Sequence, residues 1–415
     1  MKVPLKFNRI ASSELQNIIN ISIIFNHLRE NSPISRAKIS KNLNISAPAV
    51  SRVVAKLINR GYVKEIGKVK TVVGKRPTEL EINLDKGFIL GVDLSKDKIK
   101  LALANFRNEI IEKYIGHKIE NDIDLTKFVV NNIENFFKQM GRNNINAICI
   151  SVPANVDPES GVIVGVPLYK NWINLNLKKD LSKSFDIPIY IENEANLAAL
   201  AEKYYGVGKI FSNLVSIQVS VGIGAGIIID DHLFKGFNGL AGEIGFTIID
   251  TKNLNFKVKN KGFLERFASI DSLKKIVISE LLKGRKSLIN DLSKGNSKKV
   301  NNKIILEALK RGDELAVETI GNMINYLSIV IINLILILNP QIIIIGGDIV
   351  NFPDIENIIL NPIIKTVKKS LPFDIPEIIL SALSDDASLI GATYLGVESL
   401  LLNEFPFKID TNKTF

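Results

Sequence analysis

The feature that most constrains the fold of this chain is a long apolar run over residues 326–347, YLSIVIINLILILNPQIIIIGG. Its apolar length approaches that of a membrane-spanning helix. Asn333 interrupts the run, and so does the sequence Asn339-Pro340-Gln341, where the proline cannot continue a helix. The pattern therefore favours a buried helix, a turn and a core strand, which are elements of an α/β protein, and we expect no membrane contact.

Composition and length indicate a large globular protein. Hydrophobic residues make up 46% of the 415 positions and charged residues 23%, which excludes a disordered chain. This length predicts two or three domains. The N-terminus, MKVPLKFNRI, has no long apolar segment, so no signal peptide is expected. The one cysteine, Cys149, cannot form an internal disulfide, which predicts a cytoplasmic protein.

Positive charge is concentrated in the first fifth of the chain. Residues 1–85 contain 15 Lys and Arg against 6 Asp and Glu, whereas the two signs are nearly balanced over residues 86–415. A basic excess of this kind is typical of a surface that faces a polyanion. A merely solvated surface is the alternative, so the local pattern has to decide.

Three helices are predicted in this basic region, over residues 13–31, 36–42 and 47–60. In the first, apolar residues recur at helical spacing. The apolar face of this first helix would consist of Leu15, Ile18, Ile19, Ile23, Phe25 and Leu28.

Capping and turn residues separate the second and third helices. Ser35 and Ser46 are suited to cap their N-termini, because a serine hydroxyl can accept a hydrogen bond from a free backbone N–H. Asn44 suits the turn between them, and Gly61 follows the third helix. Two short helices joined by a tight turn describe a helix-turn-helix.

The third helix is predicted to contact DNA. Its apolar residues would face the core, while small polar and basic side chains face outwards and can reach phosphates and base edges. Downstream, YVKEIGKVKTVVGKRPTELEINL predicts two strands around a basic loop, which is a wing. Protein contact is the alternative role, but the charge favours DNA. The candidate DNA-binding residues are Arg36, Ser46, Pro48, Ser51, Arg52, Lys56, Lys75 and Arg76.

A glycine-rich stretch, SVGIGAG over residues 220–226, raises the possibility of a phosphate site. Glycine lets backbone N–H groups approach a phosphate without a Cβ in the way. A tight turn between two buried strands is the alternative. From Gly87 onwards strands come first in hairpins and then alternate with helices, which predicts two α/β lobes with a cleft.

Eight motifs together resemble the ROK family of bacterial sugar kinases and sugar-responsive repressors. The resemblance covers nearly the whole chain and implies a two-lobed actin-like, ribonuclease-H-like fold behind a winged helix-turn-helix. It divides the chain into residues 1–85 and 86–415, with one lobe over about 86–203 plus 385–404 and the other over about 204–384. The motifs are GVDLSKDK, PANVDPESG, IENEANLAALAE, GIGAGIIID, FNGLAGEIGF, GFLERFAS, IIIIGGDIV and LIGATYLG.

The chain departs from the phosphate loops of the family's kinases. Asp93-Leu94-Ser95-Lys96-Asp97 replaces a loop of glycines and threonine, and its second carboxylate would repel phosphate. Ser220-Val221-Gly222 replaces a Gly-Thr-Gly loop and has lost its hydroxyl at the middle position. Glu194 stands where the resemblance implies the aspartate that is the catalytic base of the kinases. The extra methylene of glutamate moves the carboxylate by about an ångström. The departures predict no catalytic residue and no cofactor.

The family's structural zinc is also not expected. Phe246 stands where the resemblance implies a histidine, and Phe256, Val258 and Phe263 stand where it implies cysteines. Zinc needs nitrogen or sulfur ligands in tetrahedral array. We therefore predict no metal, and a small apolar cluster in its place.

The other positions that match the family imply a sugar-binding pocket. Carboxylates and amides hydrogen-bond in fixed directions, which suits polyols. Two further departures, Ala154-Asn155 and Leu168, together with the loss of an imidazole at Phe246, favour a different or smaller sugar. The candidate sugar-binding residues are Asn155, Asn193, Glu194, Glu243 and Glu265.

Three functions remain open from the sequence. The favoured one is a sugar-responsive repressor, a homodimer or higher homo-oligomer that binds a pseudo-palindromic operator in duplex DNA and a monosaccharide such as xylose or glucose. The first alternative is a sugar kinase with a DNA-binding appendage, and the second is a repressor that has lost ligand binding altogether. The short connection over residues 81–87 predicts that lobe closure reorients the DNA-binding domain.

Overall fold

The structure is a computed structural model that describes residues 13–68, 78–95, 98–120, 123–141, 144–157, 160–164, 170–250 and 262–405. Three groups of elements follow one another along the chain, each built around its own sheet. In the first group the elements are α1 (Ser13–Asn31), β1 (Ile34–Ser35), α2 (Arg36–Leu43), α3 (Ala47–Asn59), β2 (Val63–Lys68) and β3 (Thr78–Ile82).

The turn between α2 and α3 forms largely as predicted. Ser35 caps α2, since its Oγ accepts from the N–H of Lys38 at 3.4 Å, and Asn44 takes the left-handed conformation with φ 52°. The prediction for Ser46 is wrong in one respect. Ser46 occupies the capping position of α3, but its side chain accepts no hydrogen bond from the helix there. Its hydroxyl is exposed instead.

Burial confirms the predicted apolar face of α3 and corrects that of α1. Val50, Val53, Val54 and Leu57 of α3 are buried. In α1, however, Ile19 and Ile23 are 47% and 42% exposed. The buried face of α1 is rotated from the predicted one, because α1 packs both on α3 and on the last helix of the chain, Ala387–Glu404. It consists of Ile21, Ile24, Phe25 and Leu28.

The two predicted strands of the wing, β2 and β3, pair antiparallel, and β3 also pairs with β1. The register places Lys68 opposite Thr78 at the open end of the hairpin. The basic loop between them, with Lys75 and Arg76, lies outside the described residues.

The second group contains a five-stranded sheet of order β10-β7-β4-β5-β6. Three successive strands form an antiparallel meander, and the two later strands add in parallel beside the first. Its elements are β4 (Phe88–Asp93), β5 (Lys98–Ala104), β6 (Ile110–Lys118), α4 (Leu125–Met140), β7 (Ile145–Val152), β8 (Asn155–Val156), β9 (Ile163–Val164), α5 (Leu177–Leu181), β10 (Ile189–Asn193) and α6 (Glu194–Tyr204).

The third group repeats that topology in a sheet of order β13-β12-β11-β14-β15. Again a meander of three strands is extended by two parallel strands beside the first. Its elements are β11 (Leu214–Val219), β12 (Ile223–Ile229), β13 (His232–Leu233), α7 (Phe263–Ala268), α8 (Ile270–Leu282), α9 (Leu288–Leu292), α10 (Asn302–Lys310), α11 (Glu314–Leu338), β14 (Ile342–Gly346), α12 (Asn361–Ser370), β15 (Glu377–Leu380) and α13 (Ala387–Glu404).

The apolar run over residues 326–347 lies in the C-terminal part of α11, a turn and β14. By length and composition α11 could cross a membrane. Its face with Met323, Leu327 and Ile331 instead packs in the core of the third group, together with the buried strand β14. Asn339, in the left-handed conformation with φ 45°, ends the helix, as the sequence predicts.

Helices α6 and α13 lie between the two five-stranded sheets. Helix α13 packs on β4 and β7, α6 packs on β11 and β12, and the two helices pack on each other. Glycines permit this close approach. A Cβ on Gly226 would lie 2.3 Å from the Cβ of Ala199 in α6, and one on Gly391 would lie 1.9 Å from the carbonyl oxygen of Leu197.

The winged helix shares a hydrophobic core with the second group. Tyr62 is fully buried, with its ring edge-on to Phe25 at 5.9 Å and to Phe106 at 5.2 Å between centroids. Val397 and Leu400 of α13 belong to the same cluster. The N-terminal domain is therefore mounted on the body of the molecule and does not hang from a free linker.

Replacing Gly226 with alanine tests the packing of α6. The added methyl overlaps the helix, so Gly226→Ala should lower the free energy of unfolding by about 1–3 kcal/mol, measured by urea denaturation. Gly321→Ala is a matched control inside α11, where nothing lies within 4 Å of the added carbon. The control should raise stability by about 0.5–1 kcal/mol. Unchanged stability of Gly226→Ala would show that α6 can move away at no cost.

Candidate functional site

The glycine-rich stretch over residues 220–226 is the turn between β11 and β12. The N–H of Ser220 donates to the carbonyl of Gly222 at 2.9 Å, and Val219 pairs with Ile223 across the hairpin. Gly226 lies against α6, where a Cβ would overlap Ala199. The alternative of a tight turn between buried strands is thus the one that the structure supports.

The first phosphate-loop position is occupied by a buried carboxylate. Asp93 at the end of β4 is 0% exposed. Its Oδ1 accepts from the N–H and Oγ of Ser95 at 2.9 and 2.5 Å, and its Oδ2 accepts from the Oγ of Ser388 in α13 at 2.9 Å. Asp93 therefore ties β4 to the start of α13. The predicted repulsion by Asp97 concerns a residue outside the described ranges.

Three of the predicted sugar-binding residues come together beside this hairpin. Glu243 hydrogen-bonds the buried Asn155, and the charge of Glu265 acts on Glu243. The Glu265 carboxylate also faces the backbone of two glycines. A Cβ on Gly222 or Gly245 would lie 3.4 or 3.3 Å from Glu265 Oε2.

The charge of Glu265 acts on the ionisation of Glu243. Burial, and after it the negative charge of Glu265, raise the pKa of Glu243 to about 7, and the hydrogen bond from Asn155 opposes that rise. Near neutral pH Glu243 can thus either donate or accept a hydrogen bond. Such a pair of adjacent carboxyl groups suits neighbouring hydroxyls of a polyol.

Asn193 has a supporting position. Its Oδ1 accepts from the N–H groups of Ala195 and Asn196 at 2.8 and 3.4 Å, which caps α6. Its Nδ2 donates to the carbonyl of Ala154 at 3.1 Å. Asn193 therefore holds the segment that carries Asn155, and a sugar contact of its own stays a prediction.

Glu194 is the first residue of α6 and lines a cavity whose lining does not include Glu243 or Glu265. Together with residues of both sheets it lines a small cavity at the starts of α6 and α13. Sequence reasoning missed most of this lining. A signal was present in Ser388, which directly precedes the LIGATYLG motif. The lining residues are Ser95, Glu194, Ala198, Gln218, Ser220, Gly347, Asp385, Ala387 and Ser388.

Two of the positions compared with zinc ligands can be located. Phe263 is buried at the start of α7, with its ring 5.1 Å from Phe267, which in turn lies 5.5 Å from Tyr326. Phe246 is half-buried after Glu243. Phe256 and Val258 lie outside the described residues, as does Leu168. Phe263 therefore lies in an aromatic cluster with Phe267 and Tyr326, while an apolar cluster of all four positions stays a prediction.

The third helix presents a polar surface on the N-terminal domain. Pro48, Ser51 and Arg52 are exposed along α3, and Lys56 is half-buried. The guanidinium of Arg36 forms an ion pair with Glu65 at 2.8 Å between partly exposed side chains. Surface pairs of this kind contribute little to stability, so Arg36 is available to another partner.

Comparisons with known proteins agree with this architecture. Residues 89–398 match the ROK family, and residues 16–64 match a winged helix-turn-helix DNA-binding domain. The chain is 34% identical over 389 residues to the xylose repressor of Caldicellulosiruptor bescii, covering 92% of this chain and 96% of that protein.

Solved structures show the same fold. A ROK family transcriptional regulator, described as a homolog of the Escherichia coli MLC protein, superposes with a TM-score of 0.78 and 26% identity over 94% of this chain and 99% of that one. A ROK family glucokinase from Streptomyces griseus, in complex with glucose and AMPPNP, gives a TM-score of 0.63 and 22% identity over 75% and 99%.

The fold thus joins an N-terminal winged helix-turn-helix to a kinase-like domain of the two-lobed actin type. The chain belongs to the ROK family.

The raised pKa of Glu243 predicts a pH-dependent stability. Glutamate in the unfolded chain has a pKa of 4.5, against about 7 in the folded protein. The stability that protonated Glu243 contributes is fully present below 4.5 and is lost as the pH rises through about 7. Glu243→Gln should therefore be more stable than wild type at pH 8, by up to about 3 kcal/mol, with the advantage shrinking towards pH 5. Urea denaturation at both pH values measures this.

An exposed glutamate gives the control for this comparison. Glu307→Gln removes a carboxylate that is 46% exposed and paired with Arg311. It should follow wild type at both pH values to within about 0.5 kcal/mol. A Glu243→Gln variant with the same pH profile as wild type would contradict the assigned pKa.

Proposed function

We propose that this chain is a sugar-responsive DNA-binding repressor of carbohydrate-utilisation genes that acts in the cytoplasm. The observation that carries the proposal is a winged helix with an exposed polar recognition face, mounted on a kinase-like cleft that contains the Glu243 cluster. Similarity to a xylose repressor supports it. The proposed division is residues 1–85 for DNA and 86–415 for sensing, with lobes over about 86–203 plus 385–404 and about 204–384.

The DNA-binding role is assigned to α3 and the wing. Helix α3 would enter the major groove, and the basic loop of the wing would contact phosphates or the minor groove. A homodimer or higher homo-oligomer would place two such helices on a pseudo-palindromic operator. The residues proposed to contact DNA are Arg36, Ser46, Pro48, Ser51, Arg52, Lys56, Lys75 and Arg76.

Arg52→Ala should weaken binding to a duplex that the wild-type chain enriches from a random-sequence library. If Arg52 reads a base edge, the cost is about 1–3 kcal/mol and specificity relaxes at one position. Fluorescence anisotropy against the duplex and single-base variants measures both. Arg311→Ala, an exposed substitution in α10's C-terminal turn, is the control and should leave affinity unchanged. Equal loss against all sequences would assign Arg52 to phosphate contact.

The effector is proposed to be a monosaccharide, with xylose first and glucose second. It would lie between the lobes and contact Asn155, Glu243 and Glu265, with Asn193 and Glu194 completing the site. A sugar that grips both lobes favours a closed cleft, and it shifts the equilibrium only by its differential affinity for that form.

Glu243→Gln should retain DNA affinity but lose the response to sugar at pH 8, where the wild-type residue is mostly ionised. The amide keeps the shape of the side chain but not two acceptor oxygens. DNA affinity is measured with and without D-xylose or D-glucose. An unchanged response at the same sugar concentration would overturn this site assignment, and a wild type with no response to a broad monosaccharide panel would overturn the proposed function.

We also propose that the chain is not a kinase. Two carboxylates, Glu194 and Asp385, line the small cavity near the former phosphate loops, and like charges there oppose a polyphosphate. A coupled assay for ADP release over a sugar panel should give no sugar-dependent rate above background. Turnover with any sugar, abolished by Glu194→Gln, would establish the alternative of a sugar kinase with a DNA-binding appendage.

A further inference from the structure

The interlobe helices α6 and α13 connect the cleft to the winged helix. Glu194, the first residue of α6, and Ser388, near the start of α13, both line the cavity in the cleft. With 18 residues, α13 extends about 27 Å away from that point. Because Gly391 of α13 lies directly against the backbone of Leu197 in α6, we treat the two helices as one stiff unit.

One side chain of the N-terminal domain, Arg29 of α1, contacts both helices, α6 at its C-terminal end and α13 along its length. Its guanidinium pairs with Glu398 of α13 at 3.3 Å and donates to the hydroxyl of Tyr205, the residue that ends α6. It also lies over the rings of Tyr394 and Tyr205, 5.1 and 5.9 Å from their centroids. Tyr394 in turn stacks on Tyr204 at 4.2 Å.

This contact is buried and has several parts. The Arg29 side chain is 4% exposed and that of Glu398 is 14% exposed. Ser22, also on α1, donates to the second oxygen of Glu398 at 3.0 Å. Burial raises the pKa of Glu398, while the charge of Arg29 and the hydrogen bond from Ser22 oppose that rise. A charge pair in such surroundings is costly to separate, since each ion would lose its partner away from water.

We propose that the Arg29–Glu398 pair is the joint through which the state of the cleft sets the orientation of the winged helix. The inference rests on the proposed function. A guanidinium is planar and makes its hydrogen bonds in a fixed geometry, so a shift of the helix ends breaks several contacts together. The joint therefore has discrete arrangements, as a two-state element requires.

Other connections run between the same parts and are the competing routes. The segment after β3 is short, and Asn83 in it is fixed by hydrogen bonds to the backbone of Gly61 and Tyr62. The apolar cluster of Tyr62 is a second route, since it also contains Val397 and Leu400 of α13.

Polar contacts form a third route. Arg107 donates to the hydroxyl of Ser32 at 3.0 Å, and Arg60 pairs with Glu404 at 3.9 Å. Removing the charges of Arg29 and Glu398 leaves all of these contacts in place, so the double variant tests the charge pair separately from them.

The test removes the charges and keeps the volume. In Arg29→Met/Glu398→Leu the buried pair becomes apolar, a change that buried pairs often tolerate. DNA affinity is measured with the duplex enriched by wild type, with and without D-xylose and D-glucose, and sugar affinity by calorimetry. Arg285→Gln/Glu318→Gln, which removes a surface pair at 2.7 Å in the third group, is the matched control.

A working joint predicts loss of coupling without loss of binding. The sugar-induced change in DNA affinity, about 5- to 150-fold for a typical allosteric protein, should fall below about twofold in the double variant. Sugar affinity, and DNA affinity without sugar, should stay within about threefold of wild type. The control should respond as wild type does. If the double variant does not fold, Glu398→Gln decides by the same change in DNA affinity on addition of sugar, since it removes the charge, keeps the shape of the side chain and leaves one acceptor oxygen in place of two.

Two results distinguish a failure of the joint from a failure of the proposed function. A full sugar response in the double variant, or in Glu398→Gln where that variant decides, overturns the joint and assigns coupling to the connecting segment or to the other apolar and polar contacts. Wild type without a response to any sugar overturns the proposed function itself.

Discussion

The close packing of α6 is the constraint on which the rest of the molecule depends. This helix touches β12 at Gly226 and α13 at Gly391, and at both glycines there is no room for a Cβ. Because interiors are close-packed, such an element cannot adjust to a displacement of one sheet without transmitting it to the other. The position of the cleft, the hairpin turn at Gly222 and the mounting of α1 all follow from where α6 lies.

The cleft keeps the framework of a kinase fold and is lined by acidic and hydroxyl side chains. Asp93 is buried among serine hydroxyls, and further carboxylates line the cavity near it. The charge of Glu265 acts on the ionisation of Glu243. Under the proposed function, a site of this composition would attract hydroxyl groups and oppose a polyphosphate. The backbone that positions a nucleotide in a kinase would then serve a sensor.

Much of this was predictable from the sequence, because it depends on local patterns. Asn44, Ser35 and the apolar face of α3 define the helix-turn-helix through turn and capping chemistry. The apolar run over residues 326–347, with its break at residues 339–341, likewise predicts a helix, a turn and a strand. Resemblance to a family predicted that Asn155, Glu243 and Glu265 share a site, and the structure brings these three side chains together, while their contact with a sugar stays a prediction.

What the sequence could not predict depends on tertiary packing. Ile19 and Ile23 fit a helical stripe, but α1 is rotated by its contact with α13, more than 350 residues later in the chain. Ser46 occupies a capping position without making the bond. Asn193 looks like a ligand, yet its amide is used by its own helix and a neighbouring loop. The role of Arg29 could not be predicted from its local sequence, since Tyr205, Tyr394 and Glu398 lie far from it along the chain.

The buried contacts of Tyr62 have a consequence for cooperativity. Phe25, Tyr62, Phe106 and Leu400 belong to one apolar cluster, although they come from the DNA-binding domain, the first lobe and the last helix. A fragment cut at the domain boundary would expose part of that cluster to water on both sides of the cut. The winged helix and the lobe beneath it therefore form a single unfolding unit, and the limits of the domains along the chain differ from the limits of cooperative folding.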